Sequence, residues 1–294
     1  MRKFRSLISF LFAITLVSCE NSTNQYGSTM EMPHINDDEQ KALMEIYNCL
    51  HFEDNNSHHG WDKWWQLDWQ GVTFRFDSIS EEYYVVKLYL GAIPDRRDSY
   101  IPDVFASFTR MESFSLKCGL NKNELNIPES LCSLPLKYLE ISNAGGKLPT
   151  NFTDLASSLE ELYIYSCPIG NEIIERLEQL TKLKYCELEN CGLSGKVPFI
   201  NYANFENDVV FSFPANDYSE MDWEYFNSLD NLPKLPYVHH NKIKGTPEDV
   251  ENIIKRAPYS YKHFMDYFRR MYDNPIFDDW NNSDIAINIY NSLL

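Results

Sequence analysis

The chain has 294 residues, of which 43 are acidic and 26 basic, for a formal net charge of −17. A surface of that sign repels the phosphates of nucleic acids and anionic lipid headgroups, which disfavours a DNA- or RNA-binding role. Hydrophobic residues make up 44% of the chain, enough to build a sizeable core.

Arg2, Lys3 and Arg5 form a positive leader ahead of an apolar run at residues 7–17, which is too short to span a bilayer. The run ends Leu16-Val17-Ser18-Cys19 and resembles the lipobox of bacterial lipoproteins, in which the cysteine sulfur receives diacylglycerol before cleavage in front of it. An ordinary secretory signal with a chance cysteine is the alternative. The resemblance implies a signal peptide at 1–18 and a membrane anchor on Cys19, held by acyl chains at about 0.8 kcal/mol per buried methylene. The leader carries three basic residues and no acidic one, so cleavage takes the net charge from −17 to −20. The stretch Glu20-Asn21-Ser22-Thr23-Asn24-Gln25 is polar and aperiodic, and residues 19–35 are expected to form a flexible tether.

A helix is predicted over 37–50, with Asp37 or Asp38 as N-cap and Leu43, Ile46, Tyr47 and Leu50 on one face. Trp61, Trp64, Trp65 and Trp69 follow, and residues 36–80 are assigned to an N-terminal cap. Asp77-Ser78-Ile79 resembles a short O-glycosylation signal of Bacteroidota.

From residue 81 the phrase L-x-x-L-x-L-x-x-N/C-x-L recurs. Leu159, Leu162, Ile164, Cys167 and Ile169 fill it, as do Leu183, Cys186, Leu188, Cys191 and Leu193. Leu136, Leu139 and Ile141 give an earlier copy, preceded by Met111, Phe114 and Leu116 and by Val85, Leu88 and Leu90. Phe211, Phe213 and Asn216 fit a degenerate copy, and Asn241, Ile243 and Gly245 a poorer last one. The five clear copies recur every 23 to 26 residues, as in the leucine-rich-repeat family, which the chain resembles clearly to about residue 218 and more loosely to 245.

Cys191-Gly192-Leu193-Ser194-Gly195-Lys196-Val197-Pro198 is also similar to the repeat of plant receptor ectodomains, a class found in bacterial surface proteins too. The copy after Ile164 departs from it, with Ile173-Ile174 where the proline should be. Trp69, Gly71 and Val72 match that family's N-terminal cap, while Leu67 and Phe74 stand where its paired cysteines would be, which implies a cap held by apolar packing. The steps Leu131/Leu134, Phe152/Leu155, Leu177/Leu180 and Tyr202/Phe205 suit short helical or 3₁₀ returns. The expected fold is an α/β leucine-rich-repeat solenoid with a parallel concave sheet over 81–245 and helical N-terminal and C-terminal caps. In the segment 246–294, Thr246-Pro247-Glu248 opens one helix, Tyr261, Phe264, Met265, Phe268, Met271 and Tyr272 line a second, and residues 285–294 suit a third.

Six cysteines remain besides Cys19, with no CxxC pair, so a zinc ribbon has no support. Cys167 and Cys191 take the position where the family usually carries an inward asparagine. Strands lie about 4.8 Å apart, so a disulfide there is allowed, as is a ladder of buried reduced thiols. Cys186 takes a core leucine position. The pairs His58-His59 and His239-His240 lack a metal-ligand arrangement, and no nucleophile elbow, phosphate loop or dinucleotide fingerprint occurs. No catalytic residue, cofactor or metal site is therefore expected. Glu187 and Glu189 face one way at roughly 6.5 Å, a spacing reminiscent of glycosidase carboxylates but without an enclosing cleft.

The variable positions of the repeat project from the concave sheet. They place Tyr89, Tyr138, Glu140, Glu161, Tyr163, Tyr165, Tyr185, Glu187 and Glu189 there, with Glu160 between Lys137 and Lys184 as a cross-strand charge pair. Tyrosines offer contact area and a hydroxyl at low entropy cost, so this face is the candidate binding site; they are also simply good exposed strand residues. The expected function is non-catalytic recognition of a protein or peptide, basic ones favoured, by a lipid-anchored protein of a Gram-negative cell envelope, in the outer membrane and surface-exposed. A glycan-binding surface and a structural envelope protein without a ligand are the alternatives.

Overall fold

The structure is a computed structural model that describes residues 33–54, 60–61, 67–91, 93, 98–119, 125–145, 147–228, 234–246, 248–249, 252, 256, 270–271 and 273–276. The leader, Cys19 and the stretch to residue 32 lie outside them. So do Trp64, Trp65, His58, His59, His263 and most of the expected C-terminal helices.

Helix α1 (Asp37–Cys49) forms where the sequence predicts it, but its N-cap is Asn36, whose side-chain oxygen accepts from Asp38 N and Glu39 N. Leu43, Ile46 and Leu50 are buried on its inner face. They meet an aromatic cluster in which Trp61 lies 6.1 Å from Tyr47 and 5.7 Å from Trp69, and the Trp61 indole donates to Gln70 O at 2.8 Å. Leu67 and Phe74 pack against the core. Strand β1 (Val72–Asp77) pairs antiparallel with β2 (Glu82–Leu90), a hairpin that the sequence reading missed. Asp77-Ser78-Ile79 forms its exposed turn, where the Asp77 carboxylate accepts from Ile79 N at 2.9 Å.

After β2 the chain repeats one coil. Strands β3 (Ser113–Lys117), β4 (Tyr138–Ser142), β5 (Glu161–Tyr165), β6 (Tyr185–Glu189) and β8 (Val210–Ser212) add in parallel, giving the order β1-β2-β3-β4-β5-β6-β8. Paired residues such as Lys87 and Ser113, Ser113 and Tyr138, Tyr138 and Glu161, Glu161 and Tyr185, and Tyr185 and Val210 are offset by the same intervals that separate the leucine copies. Leu139, Ile141, Leu162, Ile164, Cys186 and Leu188 point inward and are buried. The returns are 3₁₀ turns at Phe105–Ser107, Glu129–Ser133, Phe152–Ser157 and Tyr202–Asn204. The copy without its proline turns instead through the short helix α2 (Glu172–Leu177), with Ile173 and Leu177 buried. A second parallel pair, β7 (Ser194–Lys196) and β9 (Asp217–Glu220), lies in two successive returns.

From β4 onward the chain bends at the corresponding repeat position through a residue with positive φ: Asn143, Ser166, Asn190, Ala215, His240 and Asp273. After the first of these bends, where Ala144 has no polar group to offer, the residue that follows closes the bend from inside. Cys191 Sγ donates to Ile164 O at 3.2 Å, Asn216 Nδ2 to Leu188 O at 2.7 Å, Asn241 Nδ2 to Phe213 O at 3.0 Å and Asn274 Nδ2 to Val238 O at 2.8 Å. Cys167 and Cys191 are both free thiols, so of the two arrangements allowed by the spacing the structure has the reduced ladder. Asn274 also reaches back to the residues before 245: its Oδ1 accepts from Ile243 N at 2.9 Å.

Candidate functional site

The inward leucines leave the alternate residues of each strand on the opposite face. Because the strands pair in register, those residues form rows across the sheet. One row reads Ser113, Tyr138, Glu161, Tyr185, and the next reads Ser115, Glu140, Tyr163, Glu187. A third reads Lys117, Ser142, Tyr165, Glu189. In the first two of these rows tyrosine and glutamate therefore alternate both along and across the strands β4 to β6, like the squares of a checkerboard, and the third row adds Tyr165 and Glu189 at its edge. Tyrosines meet on the diagonals: the Tyr163 ring lies 5.4 Å from Tyr138 and 5.3 Å from Tyr185, and 6.3 Å from Tyr165 on its own strand.

The hydroxyls are held by the glutamates between them. Tyr138 donates to Glu140 at 3.1 Å and Tyr163 to Glu161 at 3.0 Å. Tyr165 and Tyr185 both donate to Glu187 Oε2, each at 3.2 Å. Burial, then the neighbouring carboxylates, holds the phenols of Tyr138, Tyr163 and Tyr165 well above the usual tyrosine range and pushes Tyr185 up to about 12. These phenols remain neutral donors at any physiological pH. The result is a half-buried aromatic strip with its side chains already oriented and its charge negative.

Eight of the nine residues singled out in the sequence lie on this patch or its border. Tyr89 is set apart from the others by the Ser113, Ser115 and Lys117 face of β3; it is 44% exposed, with the Lys117 ammonium 5.9 Å from its ring. Glu160 lies on the rim, bonded to Lys184, and that ammonium holds its carboxyl below the usual range. On the rim, then, the expected exposed charge pairing holds for Glu160 and Lys184, while Lys137 pairs with Glu112 instead. Glu161, Glu187 and Glu189 differ, having no ion pair among the described residues. Lys117 and Ser142 were overlooked, although they occupy the same repeat position as Tyr165 and Glu189 and alignment of the copies reveals them.

No family model matches the chain. The human volume-regulated anion channel subunit LRRC8E is 28% identical over 141 residues, 46% of this chain; the chain spans only 17% of that relative's length. Among solved structures, a plant ice-binding protein is similar at 18% identity and a TM-score of 0.47, over 72% of this chain and 82% of the other. The LRR ectodomain of the receptor kinase SOBIR1 from Arabidopsis thaliana is similar at 23% identity and a TM-score of 0.42, over 62% of this chain and 92% of the other. The repeat spacing, its match to the strand register and the side-chain ladder at each bend give this chain a leucine-rich-repeat architecture.

Proposed function

We propose that the chain is a non-catalytic recognition protein that binds a protein or peptide, preferably a basic one, on the tyrosine and glutamate face. The observation that carries this reading is the checkerboard itself. Its aromatic rings are fixed before any ligand arrives, so little side-chain entropy is lost on contact, and its unpaired carboxylates favour a cationic partner. The strands then form the concave wall of a solenoid that α1 and the buried tryptophans close at the N-terminal end. The lipobox-like sequence further supports attachment through Cys19 to a bacterial cell envelope, in the outer membrane with the face exposed.

A pull-down with the soluble form from Asn24 onward tests the site. Its comparison is the variant Tyr163→Ala, Tyr165→Ala, Glu187→Ala, Glu189→Ala, with a glycan array probed in parallel. Capture of a protein by the parent, weakened at high salt and lost in the variant at unchanged melting temperature, is the expected result. Equal capture by both moves the site elsewhere, and capture of glycans alone, insensitive to salt, replaces the protein ligand by sugar. For the anchor, incorporation of an alkyne-labelled fatty acid is expected in the full chain and absent after Cys19→Ala.

A further inference from the structure

The glutamates of the face share one arrangement, and at one of them it is already complete. Glu140 accepts the Tyr138 hydroxyl on Oε2 and the Lys117 ammonium on Oε1 at 2.9 Å. The same ammonium stands near the Tyr89 ring. Glu161 and Glu187 likewise hold tyrosine hydroxyls on Oε2. Their Oε1 atoms have no hydrogen bond or ion pair among the described residues. Lys117 thus displays in this chain what the arrangement does with a cation: the phenol fixes one carboxylate oxygen and leaves the other for an ammonium or guanidinium group against an aromatic wall.

The spacing of the two open positions selects among basic partners. Glu161 and Glu187 are diagonal neighbours on adjacent strands, about 7–8 Å apart. In an extended peptide, side chains two residues apart project the same way at roughly 6.6 Å, within the flexible reach of lysine or arginine. Glu140, Glu161 and Glu187 moreover zigzag over three successive strands, so a peptide that follows them crosses the strands and meets one carboxylate per strand.

We propose that the face reads an extended peptide with cationic side chains at alternate positions, one on Glu161 and the next on Glu187, and that Lys117 fills a third, equivalent position from within the chain. The proposal rests on the protein-binding reading above and adds a spacing to it.

Fluorescence anisotropy with labelled peptides tests that spacing. The probes are a threonine peptide with two lysines at alternate positions, one with the lysines four residues apart, and one with three alternating lysines. Against the parent, the alternating pair is expected to bind about tenfold tighter than the wide pair. Glu161→Gln and Glu187→Gln, which keep an acceptor for the phenols, should each lose that advantage; in either variant, removing the matching lysine from the peptide should have no further effect. Lys117→Ala opens the third position, so the three-lysine peptide should gain several-fold over the two-lysine one relative to the parent. Equal binding of both spacings, lost in the four-alanine variant, overturns the spacing and leaves the protein-binding reading standing. Absence of binding to every probe also overturns the spacing; joined to an empty pull-down, it removes the broader reading as well.

Discussion

At Asn216 one side-chain amide serves four backbone groups in two coils. Its oxygen accepts from Cys191 N at 2.8 Å and Leu193 N at 3.2 Å, and its nitrogen donates to Leu188 O at 2.7 Å and Pro214 O at 3.0 Å. All of this is buried, where an unmatched backbone group costs about 1–3 kcal/mol. Asn216→Ala is accordingly expected to lower the unfolding free energy by at least about 3 kcal/mol, read from the urea midpoint at constant slope. Cys191 has the same place one coil earlier but donates only through a thiol, a weaker donor with no comparable acceptor. Cys191→Ser, which keeps a donor, should shift the midpoint by much less. Similar losses for the two variants would mean that the bend is held by packing rather than by its hydrogen bonds.

Helix α1 is tied to β2 by a side chain whose role no local pattern discloses. Glu39 is 2% exposed, and its Oε2 accepts from Val85 N at 2.6 Å. Burial pushes its carboxyl up from 4.5 to about 7, against the pull of that N–H and of Arg110. Between those two values the folded chain holds a proton that the unfolded chain has released, so this group makes stability fall as pH rises from about 4.5 to 7 and adds no slope above. Glu39→Gln should flatten that part of the profile and stabilise the chain at pH 8 by on the order of 2 kcal/mol. Melting curves at pH 5 and pH 8 check it, and an unchanged difference between the two pH values counts against the buried acid. The helix itself was legible, because Leu43, Ile46 and Leu50 mark its inner face; Glu39 was not, because its partner lies 46 residues away. Strands β2 to β6 and β8 were legible with their register, since one interval sets both the leucine spacing and the pairing; β7 and β9, in the returns, were not. Strand β1 escaped because Trp69, Gly71 and Val72 were read as a cap motif, which masked the alternation of Val72, Phe74 and Phe76. The members of the binding face could be named from the repeat, but not the acceptor of each phenol. Tyr163 bonds within its own strand while Tyr165 reaches the next, a choice made by side-chain rotamers.

Across the whole molecule, each coil is bonded to the one before and the one after, so stability accumulates through neighbours rather than around a single centre. Five cysteines lie buried within this stack, and a sixth, Cys49, is half-buried at the end of α1. Burial pushes the Cys132 thiol up to about 12 and Cys167 up to about 11, and raises those of Cys186 and Cys191 as well. Folded, these sulfurs are shielded from oxidants both by exclusion and by the scarcity of thiolate. Unfolding removes both protections at once, and the freed thiolates can then pair in combinations that no coil accommodates. The chain should therefore recover its full heat-capacity peak on a second scan when a reductant is present, and lose much of it in air, with cross-linked species on a non-reducing gel. Equal recovery in both would show that the sulfurs play no part in reversibility. Where this fold meets oxygen, its endurance would be decided by how rarely it opens, since each opening gives air a chance to make the loss permanent.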